Sequence, residues 1–405
     1  MDVFVARQPI FDRQQRVFGY ELLFRSCLTN AYDGTEGTQA TSQVITTSFF
    51  SLDMGKILGG KRAFINFNRD LLVGECVSVL PSEIAVVEVL ESVEADEQVM
   101  AACKHLKERG YLLALDDFVC EERLAPLAEV ADIIKVDFLA TPEAERRRLV
   151  RRYSGRGIKL LAEKVETPEQ FRQAYQMGYS YFQGYFFARP VIISGRDIPA
   201  FKLHYLQILK EINLPELDYP RLENMIKQEV SLSYKLLRYI NSAAFGWRGP
   251  IESIRQALVL LGESESRKFV SLVALPFLAQ DKPEELVVTA VIRARFCESI
   301  APRVGLSNRK ADLFFLGMFS LLDVIMDRPL EEVLAEVGLA PDVREALLEK
   351  SCGRNPLGWI LELVRCYEAA EWDRLAQAAR HLRLPAEVIP DLYLDSVHWA
   401  DSVFR

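Results

Sequence analysis

The chain has 405 residues, half of them hydrophobic and 26% charged, a balance that excludes a disordered or fibrous protein and predicts two or three folded cores. Its net charge is −8, and both halves about Gly195 are acidic, which argues against a nucleic-acid partner. The longest uncharged apolar stretch, Phe269 to Gln280, is broken by Pro276, and Asp2 and Arg7 interrupt any apolar leader, so the expectation is a cytoplasmic protein with no membrane partner.

In chain order, short β-branched runs alternate with helix-like stretches through the first half: Ala63 to Phe67, Ile84 to Val89, Leu112 to Leu115, Ile133 to Val136 and Lys159 to Ala162. Strands alternating with helices predict parallel βα units. Thr141-Pro142 and Thr167-Pro168 each place a capping hydroxyl before a proline at a helix start, and Gln170 completes a capping box with Thr167. Arg146, Arg147, Arg148, Arg151 and Arg152 follow Glu143 and Glu145 and read as a solvated helix face. Beyond Arg196 the strand runs stop. Leu232, Leu236, Leu237 and Ile240 line one face of a helix predicted to end at Gly246, and Ser253 with Gln256 starts another predicted to end at Gly262. The reading is an α/β barrel over 1–195 followed by an all-α domain over 196–405. Seven cysteines are scattered singly, with no spacing for zinc, and read as reduced thiols, mostly in the core.

The polar residues at the ends of these strands carry the chemistry. Asn66, Glu88, Asp116, Lys135 and Glu163 lie within or just after successive apolar runs, at separations of 22, 28, 19 and 28 residues, and Asp117 follows Asp116. Singly, Asp117 reads as a helix cap, Lys135 as a strand end reaching solvent and Asn66 as a turn former. Together their spacing is that of βα units, and in a (β/α) barrel all strand C-termini meet on one face, where active sites sit. A cluster of oxygen donors without His or Cys favours hard divalent cations, Mg²⁺ or Mn²⁺, and phosphate substrates.

Several motifs resemble the EAL domain family of cyclic di-GMP phosphodiesterases, in order and spacing: ARQPIFD (Ala6 to Asp12), GYELLFR (Gly19 to Arg25), FINFN (Phe64 to Asn68), VEVLES (Val87 to Ser92), LDDF (Leu115 to Phe118), IKVD (Ile134 to Asp137), AEKVET (Ala162 to Thr167) and FQGYFFARP (Phe182 to Pro190). The resemblance implies a modified TIM-like barrel in which Glu21, Asn66, Glu88 and Asp116 bind metal, joined by Asp117 and Glu163 at a two-metal centre. It implies that Lys135 holds the attacking water, Arg25 meets a ligand phosphate, Glu91 organises a loop, and Asp137, Glu166 and Gln183 support or line the pocket. The second half resembles the helical HDOD domain through LLRYINSAAFG (Leu236 to Gly246) and IRQALVLLG (Ile254 to Gly262). None of the four histidines is followed by Asp, so the adjacent His-Asp ligands of HD phosphohydrolases are missing and this domain is expected to be non-catalytic. Trp247 and Trp359 read as packing residues rather than a cofactor box.

Three departures bear on activity. Leu22 replaces the small residue of the EAL signature, Val119 to Arg123 replace a glycine-rich loop, and Lys164 replaces the glycine expected between Glu163 and Val165. Two readings of function follow. The leading one is a signalling protein that binds cyclic di-GMP, with hydrolysis to linear pGpG left open, and relays its state to a protein partner through the HDOD domain. The alternative is a catalytically degenerate scaffold working only through protein contacts, motivated by the altered loop and by a barrel expected to be shortened. The resemblance also implies a homodimer.

Overall fold

The first turn of the chain sets the sense of the barrel. β1 (Phe4–Phe11) and β2 (Val17–Arg25) are joined by only five residues, and so short a connection closes an antiparallel pair. Asp12 Oδ1 accepts from the N–H groups of Gln14 and Arg16 at 2.8 and 2.9 Å, and Gln15 takes up a positive φ of 57°, which tightens that turn. The structure is a computed structural model describing residues 4–25, 57–74, 76–118, 124–188, 200–214, 216–241, 251–348 and 355–404. Val119 to Arg123, Gly246 and Trp247 lie outside the described residues.

β3 (Arg62–Phe67), β4 (Ala85–Val89), β5 (Leu112–Leu115), β6 (Ile133–Asp137), β7 (Lys159–Glu163) and β8 (Tyr181–Gln183) complete a closed barrel in chain order. The expected parallel units hold from β2 to β8, whereas β1 runs antiparallel to both of its neighbours. The barrel is therefore complete in eight strands rather than shortened as expected.

The crossovers from β3 onward contain α1 (Arg69–Val73), α2 (Glu97–Glu108), α3 (Ala125–Val130), α4 (Glu143–Tyr153) and α5 (Pro168–Met177). α5 begins with the expected capping box: Thr167 Oγ1 accepts from the Gln170 N–H at 3.2 Å and Gln170 Oε1 from the Thr167 N–H at 3.1 Å. α4 differs. Pro142, extended at ψ 150°, is itself its cap residue, because the Thr141 N–H is turned back to the Asp137 carbonyl at 3.0 Å. The arginine-rich face of α4 is mixed: Arg147 pairs with Glu143, while Arg146 is half-buried with its guanidinium 3.8 Å from the centre of the Phe138 ring.

The chain divides into two compact units, one comprising Met1–Arg189, Arg365–Arg380 and Pro385–Arg405, the other Pro190–Val364 and His381–Leu384. The division departs from the expected 1–195 and 196–405 because the last helical segments return to the barrel. There Tyr367, fully buried, donates to the Val5 carbonyl at 3.2 Å, and Trp372 packs edge-on to Phe4.

The second unit is helical. α6 (Ala200–Ile212), α7 (Tyr219–Lys227) and α8 (Val230–Ile240) are followed by α9 (Ile254–Leu278). Ser253 caps α9 as expected, accepting from the Gln256 N–H at 3.1 Å. Gly262, at φ 75° and ψ 173°, ends the first helical segment as expected, and a second segment runs on from the kink to Leu278; that backbone setting is open to a residue without a Cβ. Among the described residues, no helix is long and apolar enough to cross a membrane.

Candidate active site at the barrel rim

Ile10, Phe64, Val86, Ala114, Ile133 and Leu161 form one buried cluster inside the barrel. Side chains two residues apart on a strand share a face. One step toward the C-terminal end of each parallel strand, Phe64 is followed by Asn66, Val86 by Glu88, Ala114 by Asp116, Ile133 by Lys135 and Leu161 by Glu163. β1 runs the other way, so the equivalent step from Ile10 reaches Gln8, which pairs in register with Glu21 of β2. A polar layer thus sits directly on the apolar one, and β8 contributes Gln183.

Lys135 stands at the centre of this layer, 1% exposed. Its Nζ lies 2.7 Å from Asp116 Oδ1, 2.7 Å from Glu163 Oε1, 2.8 Å from Glu88 Oε1 and 3.6 Å from Glu21 Oε2. Asn66 donates to Glu21 Oε1 at 3.2 Å, and Gln183 Nε2 donates to Glu21 Oε2 at 2.6 Å and to Gln8 Oε1 at 3.2 Å. Gly184 fixes the end of β8: at φ +136° its backbone lies so close to Val165 that an added Cβ would sit 2.2 Å from the Val165 carbonyl oxygen.

The electrostatics are unbalanced. Four carboxylates, Glu21, Glu88, Asp116 and Glu163, face one ammonium, an excess of −3 if all are ionised. Burial would push the Lys135 ammonium down, but Glu163, Glu21, Glu88 and Asp116 outweigh it and hold its pKa well above the ordinary lysine value. Burial raises the Glu88 carboxyl well above the carboxylate range and that of Glu163 to about 8. Burial also opposes ionisation of Glu21, yet Lys135, Gln183 and Asn66 together hold its pKa below the ordinary value.

A second group lies beside the first. Asp117, at a positive φ of 39°, and Asp137 flank Lys164, whose Nζ is 2.5 Å from Asp137 Oδ2 and 3.8 Å from Asp117 Oδ2. Lys164 itself has φ +52°, the left-handed setting that a glycine at this position would adopt freely. Asp137 Oδ1 accepts from the N–H groups of Leu139 and Ala140 at 2.7 and 2.8 Å. The other expected site residues are placed as follows: Arg25 ends β2 half-buried, Glu91 is exposed in the turn after β4, and Glu166 is half-buried with its N–H donating to Gln170 Oε1 at 2.7 Å.

The donor set fits a hard cation. Its side chains are carboxylates and an amide; Asn66 Oδ1, Glu88 Oε2 and Asp117 Oδ1 are buried without a hydrogen-bond donor among the described residues, and Glu88 Oε1 meets only the Lys135 ammonium. Among the described residues, no three His, Cys, Asp or Glu side chains are drawn together as a ready-made cation site, because these carboxylates converge on the Lys135 ammonium. Sequence reasoning missed Gln8. The signal that would have found it is the reversed direction of β1, which makes the residue two before Ile10 equivalent to those two after the core residues elsewhere.

Comparison with known proteins places these features in a wider set. A family model described as EAL domain matches residues 77–190, and one described as HDOD domain matches residues 198–350. The chain is 36% identical over 411 residues to a Bacillus subtilis (strain 168) protein named "Uncharacterized protein YuxH", covering 100% of this chain and 99% of that protein. It is 36% identical over 405 residues to "Cyclic di-GMP phosphodiesterase CdgJ" of Vibrio cholerae, covering 99% of this chain and 93% of that protein. Among solved structures, Klebsiella pneumoniae BlrP1 in a calcium and cyclic di-GMP complex is similar over 47% of this chain and 56% of that chain, at 24% identity and a TM-score of 0.39.

Proposed function

Since this chain belongs to the family of two-domain proteins that join an EAL domain to an HDOD domain, we propose that its barrel binds cyclic di-GMP with divalent cations and hydrolyses it to linear pGpG. The observation that carries this reading is the convergence of four carboxyl groups on one buried ammonium at the rim, two of them held from ionising by burial. Buried charge is tolerated only when compensated, and Mg²⁺ or Mn²⁺ is the compensation this all-oxygen donor set suits.

Glu21, Asn66, Glu88, Asp116, Asp117 and Glu163 would hold two ions. When bound, such ions supply Lewis acidity and a water of lowered pKa at neutral pH. The protein's own part is to hold the reactants in place. Lys135, kept protonated by its carboxylate neighbours, has an ammonium that can donate to the attacking water, while Gln183 and Asn66 fix the orientation of Glu21. Arg25 offers a guanidinium fork for a ligand phosphate, and Asp137, Glu166 and Gln183 support the pocket wall. Glu91 steadies the loop after β4. Water adds to phosphorus and one P–O ester bond breaks, leaving a linear dinucleotide with a terminal phosphate. The HDOD domain, without adjacent His and Asp, acts as a relay to a protein partner.

The test is turnover of cyclic di-GMP by the full chain, with Mg²⁺ and Mn²⁺ supplied separately and products separated by chromatography. Linear pGpG is expected, and Glu21→Ala should reduce its formation by roughly a hundredfold or more. Saturable binding without turnover would remove the hydrolysis step. Neither binding nor turnover with either ion would favour the scaffold reading instead.

A further inference from the structure

We propose that Lys164 is a positioning residue that occupies the Asp117 carboxylate and so weakens binding of the second of the two divalent cations. The inference rests on the two-cation reading above and assigns a role to a residue outside the expected donor set. Lys164 directly follows Glu163 at the end of β7. A lysine at φ +52° holds a backbone conformation uncommon for residues with a Cβ, so its side chain is placed there at a conformational cost.

What that side chain does is specific. It crosses to the ends of two other barrel segments and sets one ammonium between Asp137, at 2.5 Å, and Asp117, at 3.8 Å. Asp137 is itself anchored by two backbone N–H donors, so it holds the ammonium in place. Asp117 is the softer partner: its Oδ2 faces Lys164, and its Oδ1 is buried with no hydrogen bond. Asp117 belongs to the expected donor set but stands apart from the ring around Lys135, and among the described residues its nearest cation is Lys164, at 3.8 Å. A divalent ion on Asp117 would share that carboxylate with a fixed positive charge. Like charges a few ångströms apart at a site whose lysine is 51% exposed repel by an amount equivalent to about tenfold in affinity after solvent screening. The first cation position, built on Glu21, Asn66 and Glu88, has no such neighbour in Lys164.

The experiment is titration of Mn²⁺ alone into the nucleotide-free full chain, read by calorimetry and by the electron paramagnetic resonance signal of free Mn²⁺. It is run on the natural protein and on Lys164→Met, Lys164→Gly and Lys164→Arg. Methionine removes the charge and keeps the Cβ, glycine removes both, and arginine keeps both. The expected result is that the weaker Mn²⁺ site tightens by about tenfold in the methionine and glycine variants, keeps its affinity in the arginine variant, and leaves the tighter site unchanged throughout. A second site that appears only when the charge is removed supports the inference equally. Two-site binding that Lys164→Met leaves unchanged overturns the inference alone, as does tightening confined to Lys164→Gly, which would trace the effect to the backbone. Absence of Mn²⁺ binding in all four proteins overturns it together with the cation reading.

Discussion

Lys135→Met tests the balance of charge at the rim. The substitution keeps the volume and the apolar stem but removes the one ammonium among the described residues that contacts Glu21, Glu88, Asp116 and Glu163, leaving the carboxyl cluster without a positive partner. Removing one partner from a buried ion pair costs about 3–5 kcal/mol. For a unit of this size each kcal/mol corresponds to roughly 2–4 °C, so the barrel transition should fall by about 6–20 °C. Scanning calorimetry in EDTA measures it, with the barrel transition followed separately from that of the helical unit. The pH dependence has a definite sign. Burial raises the Glu163 carboxyl to about 8 from an ordinary 4.5, so the folded state holds more protons than the unfolded one across that window and stability falls as pH rises through it. Without Lys135 the cost of ionising these carboxyls increases, so the deficit should widen from pH 5 to pH 8. Millimolar Mg²⁺ should recover part of it, because a ligand of the folded state stabilises by mass action. A shift below about 2 °C in EDTA, or one independent of pH, would refute the argument.

Three further outcomes follow from the packing. Gly184→Ala should cost more than about 3 kcal/mol or prevent folding, since its Cβ would meet the Val165 carbonyl oxygen at 2.2 Å and its φ is +136°; the urea midpoint reads this, and an unchanged midpoint would contradict the close approach. Thr167→Ala should lower stability by about 1 kcal/mol through loss of the α5 capping box, again read as a urea midpoint. Cys103, buried and with its thiol pushed up by burial to about 11, should react with a disulfide reagent at pH 8 only after unfolding; rapid labelling of the native protein at Cys103, identified by mass spectrometry, would contradict its placement.

The strands were legible in sequence where they are fully buried. β3 to β7 read as continuous apolar runs because parallel barrel strands are covered on both faces, and the lone polar residue in each stood out against them. β1 and β2 were legible only as family motifs, since β1 carries Arg7 and Gln8 among apolar residues and β8 has only three residues. The helix starts show the same limit: Thr167 reads correctly because Gln170 completes its capping box, whereas the Thr141 N–H closes a turn back to the Asp137 carbonyl, a local alternative that the Thr-Pro pair alone does not reveal. The return of the last helices to the barrel could not be read either, because the packing of Tyr367 on Val5 joins residues 362 apart in the chain.

The composition of the rim is itself evidence about what the barrel is for. One step down the same strands, Phe64, Val86, Ile133 and Leu161 fill the interior with apolar side chains, the arrangement that stabilises a barrel of this kind. The same geometry one step up could take similar residues, and replacing buried ion clusters by apolar side chains is commonly neutral or stabilising. Carrying Glu21, Glu88, Asp116, Lys135 and Glu163 there makes folding less favourable in the absence of a bound cation. A protein that used the barrel only as a surface for protein contacts would gain nothing from that arrangement. A protein that loads cations would instead recover stability on loading, in proportion to the logarithm of ligand concentration over its dissociation constant, so that cation binding and barrel stability become one linked equilibrium.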